Sequence, residues 1–406
     1  MPSSRRTQAA DLSALPATPW YATDIDHDTA PKAIFPTDDQ GRSTGQARLF
    51  PTVVGYAGTR REHPGRGRVT RAAKVAVVGA GVAGTMLALR LAENGVPVDL
   101  FTGARPRDAD ATGASGGLVR GYEPDPRLAA VAAASVAEIR SDPRMRDWTG
   151  YQEVGSAYVT DAADPPDPAA LDATRERLPG SLRVVPADEL PLRGLPDGAV
   201  AVLERHAGFI SPARLRDRAL AELRRAGVTI HTRHITAVTA DAVRAGSEGF
   251  DGYRAVVVAA GAWSRDLVGG ALTTRHIQYG VYPARVAGLP SFVDETSGLY
   301  GRPAAAGRTL LGISSDRWGL RPEEISPDRD LSARVTACAT DRLGMRVRPE
   351  RVVASFDCYC ESAGLELRRA GDALTFTGGS GGAAKSVVAA SRLASRDLMA
   401  VLEGVR

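Results

Sequence analysis

The hydrophobic pattern of the chain changes character at Lys74. Residues 1–71 carry Pro, Asp, Thr, Gly and Arg with no long periodic run. They predict an N-terminal extension, flexible or docked through short apolar pieces such as Leu49-Phe50 and Val53-Val54. From Lys74 the pattern becomes regular. Val75-Ala76-Val77-Val78 is a continuous apolar run, as in a buried parallel strand. Gly79-Ala80-Gly81-Val82-Ala83-Gly84 follows, and residues 85–94 then show helical spacing with Leu87, Ala88 and Leu91 on one face. Gly95 stops that helix, and residues 96–101 predict a second strand. Later, Ser211-Pro212 has the form of an N-cap and first helical residue, and Leu215, Ala219, Leu220 and Leu223 make the stripe behind it. Strands are predicted over 229–232, 235–238 and 255–259. The last segment repeats the opening logic: a strand over 373–377, a turn at Gly378–Gly382 and a long helix over 383–402. Between Tyr122 and Glu204 the chain is poorly patterned.

Length and composition narrow the picture. A chain of 406 residues is too long for one compact core, so two domains are expected. The net charge is +4, and arginine is spread along the whole chain, which predicts no nucleic-acid partner. No window approaches ~18 apolar residues, so no membrane span is expected. Arg5-Arg6 is not followed by an apolar stretch, so no signal peptide is predicted and a cytoplasmic location is expected. Cys338, Cys358 and Cys360 are the only cysteines, too few for a disulfide framework, and the Cys-x-Cys pair lacks the partners of a metal site. Three lysines, Lys32, Lys74 and Lys385, stand against 48 arginines. A lysine in a glycine-rich turn is then a candidate for work that suits a compact charge with an adjustable pKa.

The glycines at 79, 81 and 84 carry the first chemical signal. Between a strand and a helix, Gly79 permits a tight turn, Gly81 lets backbone approach a pyrophosphate, and Gly84 lets the helix pack on the strand. The helix N-terminus then offers free N–H groups to phosphate. An acid normally ends the second strand and accepts from the ribose hydroxyls; here that position is Thr102. Arg105 and Arg107 lie just beyond, so NADPH is an alternative ligand. In the second glycine turn, Gly379, Ser380, Gly381 and Gly382 lead into a helix start carrying Lys385, which suits negative charge.

In this order the pieces resemble the D-amino-acid-oxidase superfamily of FAD enzymes, in particular the sarcosine oxidase and glycine oxidase branch. The resemblance runs from about Lys74 to the C-terminus. It rests on the opening glycine motif, Gly113–Arg120, Gly208–Pro212, Ala259–Ser264, Tyr300–Pro303 and Gly379–Lys385. It implies an α/β fold, α+β overall: a Rossmann-like FAD-binding domain (72–130, 205–272 and 360–406) interleaved with a mixed-sheet substrate domain (131–204 and 273–359). It also implies FAD as cofactor, held by Gly79, Gly81, Gly84, Thr102, Ser115, Gly116, Gly261, Gly379, Ser380, Gly381, Gly382 and Lys385. The implied chemistry is removal of hydride from a carbon bearing an amine, giving an imine. The partners are then a small amine or amino-acid substrate and molecular oxygen or another electron acceptor; oligomeric state is not specified. Arg120 and Lys385 fall where such enzymes bind the substrate carboxylate, and Tyr300 and Tyr359 fall at tyrosines flanking substrate. Three positions depart from the branch: Thr102, Leu310 in place of a lysine that assists reaction with oxygen, and Asp357 in place of the cysteine that tethers flavin, with Cys358 and Cys360 adjacent. These departures keep open a flavin- or NADPH-dependent reductase or monooxygenase, and a non-catalytic flavin-binding partner protein. His206 and His276 are candidate bases or structural histidines. Glu123 and Asp125 either face substrate, lie in solvent or cap the next helix. Ala304-Ala305-Ala306 beside Tyr300 suggests room for a bulky substrate.

Overall fold

The computed structural model describes residues 74–103, 110–270, 272–360, 362, 364–379 and 381–404. The N-terminal extension, Arg105, Arg107 and Ser380 lie outside these residues. Val75–Val78, buried throughout, is the centre of a six-stranded sheet. It pairs in parallel with Val98–Thr102 on one side and Ala255–Val258 on the other. Thr229–Thr232 extends one edge in parallel. Ala373–Thr375 extends the other, and antiparallel Arg368–Ala370 closes it. The first helix, Val82–Glu93, begins inside the glycine motif, earlier than its apolar periodicity implies, because the turn and the helix N-terminus share those residues. With the last helix, Ala383–Leu402, it buries Met86, Leu87, Val387, Val388 and Leu398 in the core beside this sheet. Burying each such side chain contributes about 1.5–3 kcal/mol.

The second sheet has eight strands and is mixed: Val293 and its neighbours run parallel to Ser156–Thr160, and the other pairings are antiparallel. Its core gathers Tyr282, Phe292, Leu299, Leu331 and Val335. The doubly layered, interleaved α/β fold expected from the chain is therefore present. The boundary at residue 130 needs correction, because it falls inside helix Pro126–Ser141. Ala133, Val136 and Ile139 of that helix, and Met145 and Trp148 of the next, join the core of the first sheet. Three helices of the poorly patterned segment start with Asp-Pro: Asp125, Asp142 and Asp167 each accept two backbone N–H groups, with proline in the first turn. That signature was available in the sequence. Among the described residues, no helix is long and apolar enough to cross a membrane.

Candidate active site

A cavity of about 640 Å³ runs along the C-terminal ends of the parallel strands and reaches the face of the second sheet. Its walls at one end are Thr102, Thr232, Arg233 and His234; Gly79, Gly81 and Ser115 stand midway; Trp263, Phe356, Asp357, Cys358 and Gly381 close the other end. The local chain explains this opening. Gly79 has φ +115 and packs where any Cβ would strike the Ala259 carbonyl, and a Cβ on Gly84 would strike the Gly79 carbonyl. The first helix thus starts hard against the sheet with Gly81 as its N-cap and no side-chain cap. The five helices starting at Pro126, Pro143, Pro168, Pro212 and Arg329 all have one. A Cβ on Gly81 would meet only the Thr112 hydroxyl, at 3.4 Å, so that backbone faces the cavity. Thr112 Oγ1 accepts from Val82 N–H at 3.0 Å and also borders the cavity, a contact the motif spacing did not reveal. An uncapped helix N-terminus behind an open glycine cradle fits a pyrophosphate, and the cavity runs on from it to residues of the second sheet.

At the substrate end, strands Thr273–Tyr282 and Arg351–Tyr359 pair so that Arg275 lies opposite Asp357. Burial pushes the Asp357 carboxyl up to about 7, against the pull of Lys385 and Arg275. The Tyr359 hydroxyl and Asp357 Oδ2 both converge on Gly381, at 2.8 and 2.7 Å from where a Cβ would stand there. Burial also raises Tyr359 and Tyr300, and Asp357 adds to both shifts. Tyr300 lies across Gly312 on the neighbouring strand, and its hydroxyl donates to the Gln278 carbonyl at 3.3 Å. Arg275 donates to Tyr359, and its guanidinium stacks 4.8 Å from the half-exposed Trp318 ring. Arg275, Trp318 and Asp357 were not expected as site residues; a cation on a strand gives no local signal of the face it points to.

Arg120 and Lys385 are brought together, by a residue that was not assigned to them. Glu123 Oε1 lies 2.6 Å from Lys385 Nζ and 3.0 Å from Arg120 Nη2. Burial raises the Glu123 carboxyl, but Arg120 and Lys385 together bring it below its ordinary range; burial likewise lowers Lys385. Arg120 also donates to the Tyr122 carbonyl and lies over the Tyr158 ring. Glu123 is therefore neither solvated nor a cap, while Asp125 does cap the next helix. Gly379, Gly382 and Lys385 border a separate cavity of about 160 Å³ with Glu123. Gly261 borders the large one, and the Gly116 carbonyl accepts from Arg302 Nε at 2.6 Å. Leu310 is buried beside Gly116 and is the cross-strand partner of Arg302. Cys358 borders the large cavity with its thiol pushed up to about 12 by burial, whereas Cys360 Sγ accepts from Gly379 N–H.

Other candidates fall elsewhere. His206 pairs with Glu153, and His276 is buried with Nε2 at the Ser326 carbonyl; neither borders either of these two cavities. Ala304 ends its strand, and Ala305 and Ala306 make the turn before Arg308; none of the three borders either cavity. Lys74 pairs with the buried Asp99 at 2.7 Å, a structural use of a scarce residue.

A parallel sheet with an open dinucleotide cradle, capped by a second sheet carrying charged and aromatic groups, defines a dinucleotide-dependent redox protein. The chain belongs to the FAD dependent oxidoreductase family, whose model matches residues 74–396, and FAD is its cofactor. No curated protein matches the sequence. Solved structures share the fold at low identity. L-proline dehydrogenase from P. horikoshii is 15% identical with TM-score 0.67, over 82% of this chain and 94% of that one. Glycine oxidase from Bacillus cereus ATCC 14579 is 17% identical with TM-score 0.61, over 82% and 95%. Iminodiacetate oxidase from Chelativorans sp. BNC1 is 19% identical with TM-score 0.61, over 81% and 95%.

Proposed function

We propose that this protein oxidises an amino acid, or a secondary or cyclic amine bearing a carboxylate, to the imine. The observation that carries this is the convergence of Asp357 and Tyr359 on Gly381 and of Lys385 on Gly382, with Tyr300 beside Asp357 and Tyr359, where the cofactor cavity meets the second sheet. FAD, when bound, supplies the hydride acceptor. The protein supplies position and charge. Arg120 and Lys385 share Glu123, and Glu295 also acts on both; a substrate carboxylate would compete with these acids for the two cations, each charged hydrogen bond contributing about 1.5–3 kcal/mol. Tyr300 and Tyr359 stand beside Asp357 with their phenols kept protonated by burial; the Tyr300 hydroxyl donates to the Gln278 carbonyl, so the Tyr359 hydroxyl, at Gly381, is the one that would donate to substrate. Proline, glycine and iminodiacetate, the substrates in the names of the three fold relatives, each place an amine beside a carboxylate. With Leu310 buried where the related branch keeps a lysine, the favoured electron acceptor is one other than oxygen.

The test is anaerobic bleaching of the visible flavin spectrum by a panel of amino acids and N-alkyl amino acids. At least one should bleach it, and Lys385→Met should raise KM or slow the bleaching about tenfold, the equivalent of ~1.4 kcal/mol. Bleaching by NADPH and by no amine would replace this function with a reductase.

A further inference from the structure

Asp357 stands where the resembled branch has its flavin-tethering cysteine, a role a carboxylate does not take over, and of the charged cluster at Gly381 it is the member in the wall of the large cavity. Among the described residues its carboxylate makes no hydrogen bond and no ion pair within 4 Å. The other acids of that wall are placed differently. Asp110 is bound to Arg216 at 2.8 Å and to Gly113 N–H, and Asp266 is exposed in the first turn of a short helix. The groups that face Asp357 come from several elements: Cys358 and Tyr359 on its own strand, Arg275 on the paired strand, Tyr300 on Leu299–Ala304 and Lys385 on the last helix. Both cations favour its ionised form and burial opposes it. A carboxyl so balanced changes protonation near neutrality, where an amine substrate arrives as ammonium.

An ammonium nitrogen has no lone pair to form the imine double bond. Resting on the amine-oxidising function proposed above, we propose that Asp357 is the residue that removes the proton from the substrate ammonium. One N–H bond breaks and an O–H bond forms on Asp357. The freed nitrogen lone pair becomes the second C=N bond as the neighbouring C–H bond breaks, its electron pair leaving as hydride to FAD. The proton on Asp357 passes to solvent when the product leaves. A proton acceptor of this kind contributes roughly 10²–10⁴-fold.

The test compares holoenzyme, Asp357→Asn and Asp357→Glu by the pH dependence of anaerobic flavin reduction and by infrared titration. Asp357→Asn should bind FAD with an unchanged visible spectrum. It should reduce at least ~100-fold more slowly near pH 7 and recover as pH rises towards the pKa of the free amine; Asp357→Glu should restore the wild-type profile in part. The infrared spectrum of wild type should show a protonated-carboxyl band that fades through about pH 7 and is missing in Asp357→Asn. Glu204, also pushed to about 7 by burial, gives a second such band, which Glu204→Gln removes. An Asp357→Asn enzyme with the wild-type pH profile, or a wild-type spectrum with no titrating band assignable to Asp357, would overturn the proposal while leaving amine oxidation intact. A wild-type flavin that no amine reduces at any pH would overturn both.

Discussion

The two glycine-rich turns beside the cofactor cavity both start an uncapped helix, yet they need glycine for different reasons. In the first, the obstacles are backbone: the Ala259 carbonyl against Gly79 and the Gly79 carbonyl against Gly84. In the second, the nearest atoms are side chains reaching in from the strand Arg351–Tyr359 and the residue after it. Asp357 and Tyr359 crowd Gly381, and Cys360 Sγ stands 2.9 Å from a Cβ on Gly378. The first turn is shaped by the backbone of its own sheet and, on the proposed reading, holds the cofactor. The second is shaped by side chains of the eight-stranded sheet and, on that reading, holds the chemistry. Backbone cannot give way without moving a strand, whereas a side chain can rotate, so the same substitution should act on folding at one turn and on turnover at the other.

Gly84→Ala should have the largest effect. With backbone in the way, it should cost about 3 kcal/mol or more, lowering the melting temperature and leaving protein purified without flavin colour. A yellow Gly84→Ala protein with wild-type melting would remove the contrast. Gly381→Ala comes next. Its φ of +76 adds strain of roughly 1–2 kcal/mol. Displacing Asp357 and Tyr359 by even 1 Å should slow amine-dependent flavin reduction by about 10²-fold with cofactor content retained. If the flavin is lost instead, the second turn is a cofactor clamp like the first.

Glu123→Gln sharpens the comparison at the edge of the second turn. Glu123 pairs with both Arg120 and Lys385, and on the proposed function it would compete with a substrate carboxylate for them. Removing its charge should lower KM for a carboxylate-bearing amine by about tenfold, or ~1.4 kcal/mol. KM for the matching amine without the carboxylate should stay in place, and thermal stability should fall because two buried cations lose their counter-ion. Equal changes for both substrates would place the carboxylate elsewhere, with Arg275 as the alternative cation. The smallest effect belongs to Cys358. Its thiol is held protonated by burial and so is a poor nucleophile. Wild type and Cys358→Ser should both release all their colour on acid precipitation; colour retained in the wild-type pellet alone would show a tether.

What could be read from the chain follows the range of the interactions involved. The strand, glycine turn and helix from Val75 to Glu93, the Ser211 cap and the last helix are local patterns, because turn chemistry and helical periodicity act within a few residues. The segment from Tyr122 to Glu204 hid its elements for the opposite reason. Helix Pro126–Ser141 packs through Ala129, Ala132, Ala133 and Ser135, whose hydroxyl bonds the last helix at the Ser386 carbonyl and Ala389 N–H. Such small residues leave little contrast between buried and exposed positions. By itself the sequence determined a dinucleotide-binding fold, FAD as cofactor and the presence of Arg120, Lys385, Tyr300 and Tyr359. Only the tertiary structure decided that Glu123 ties Arg120 to Lys385, that Asp357 faces the glycine turn and that Arg275 stands opposite Asp357. Those relations join residues 3 to more than 200 positions apart through strand register and helix packing. A charged side chain carries no local mark of which partner burial will leave it.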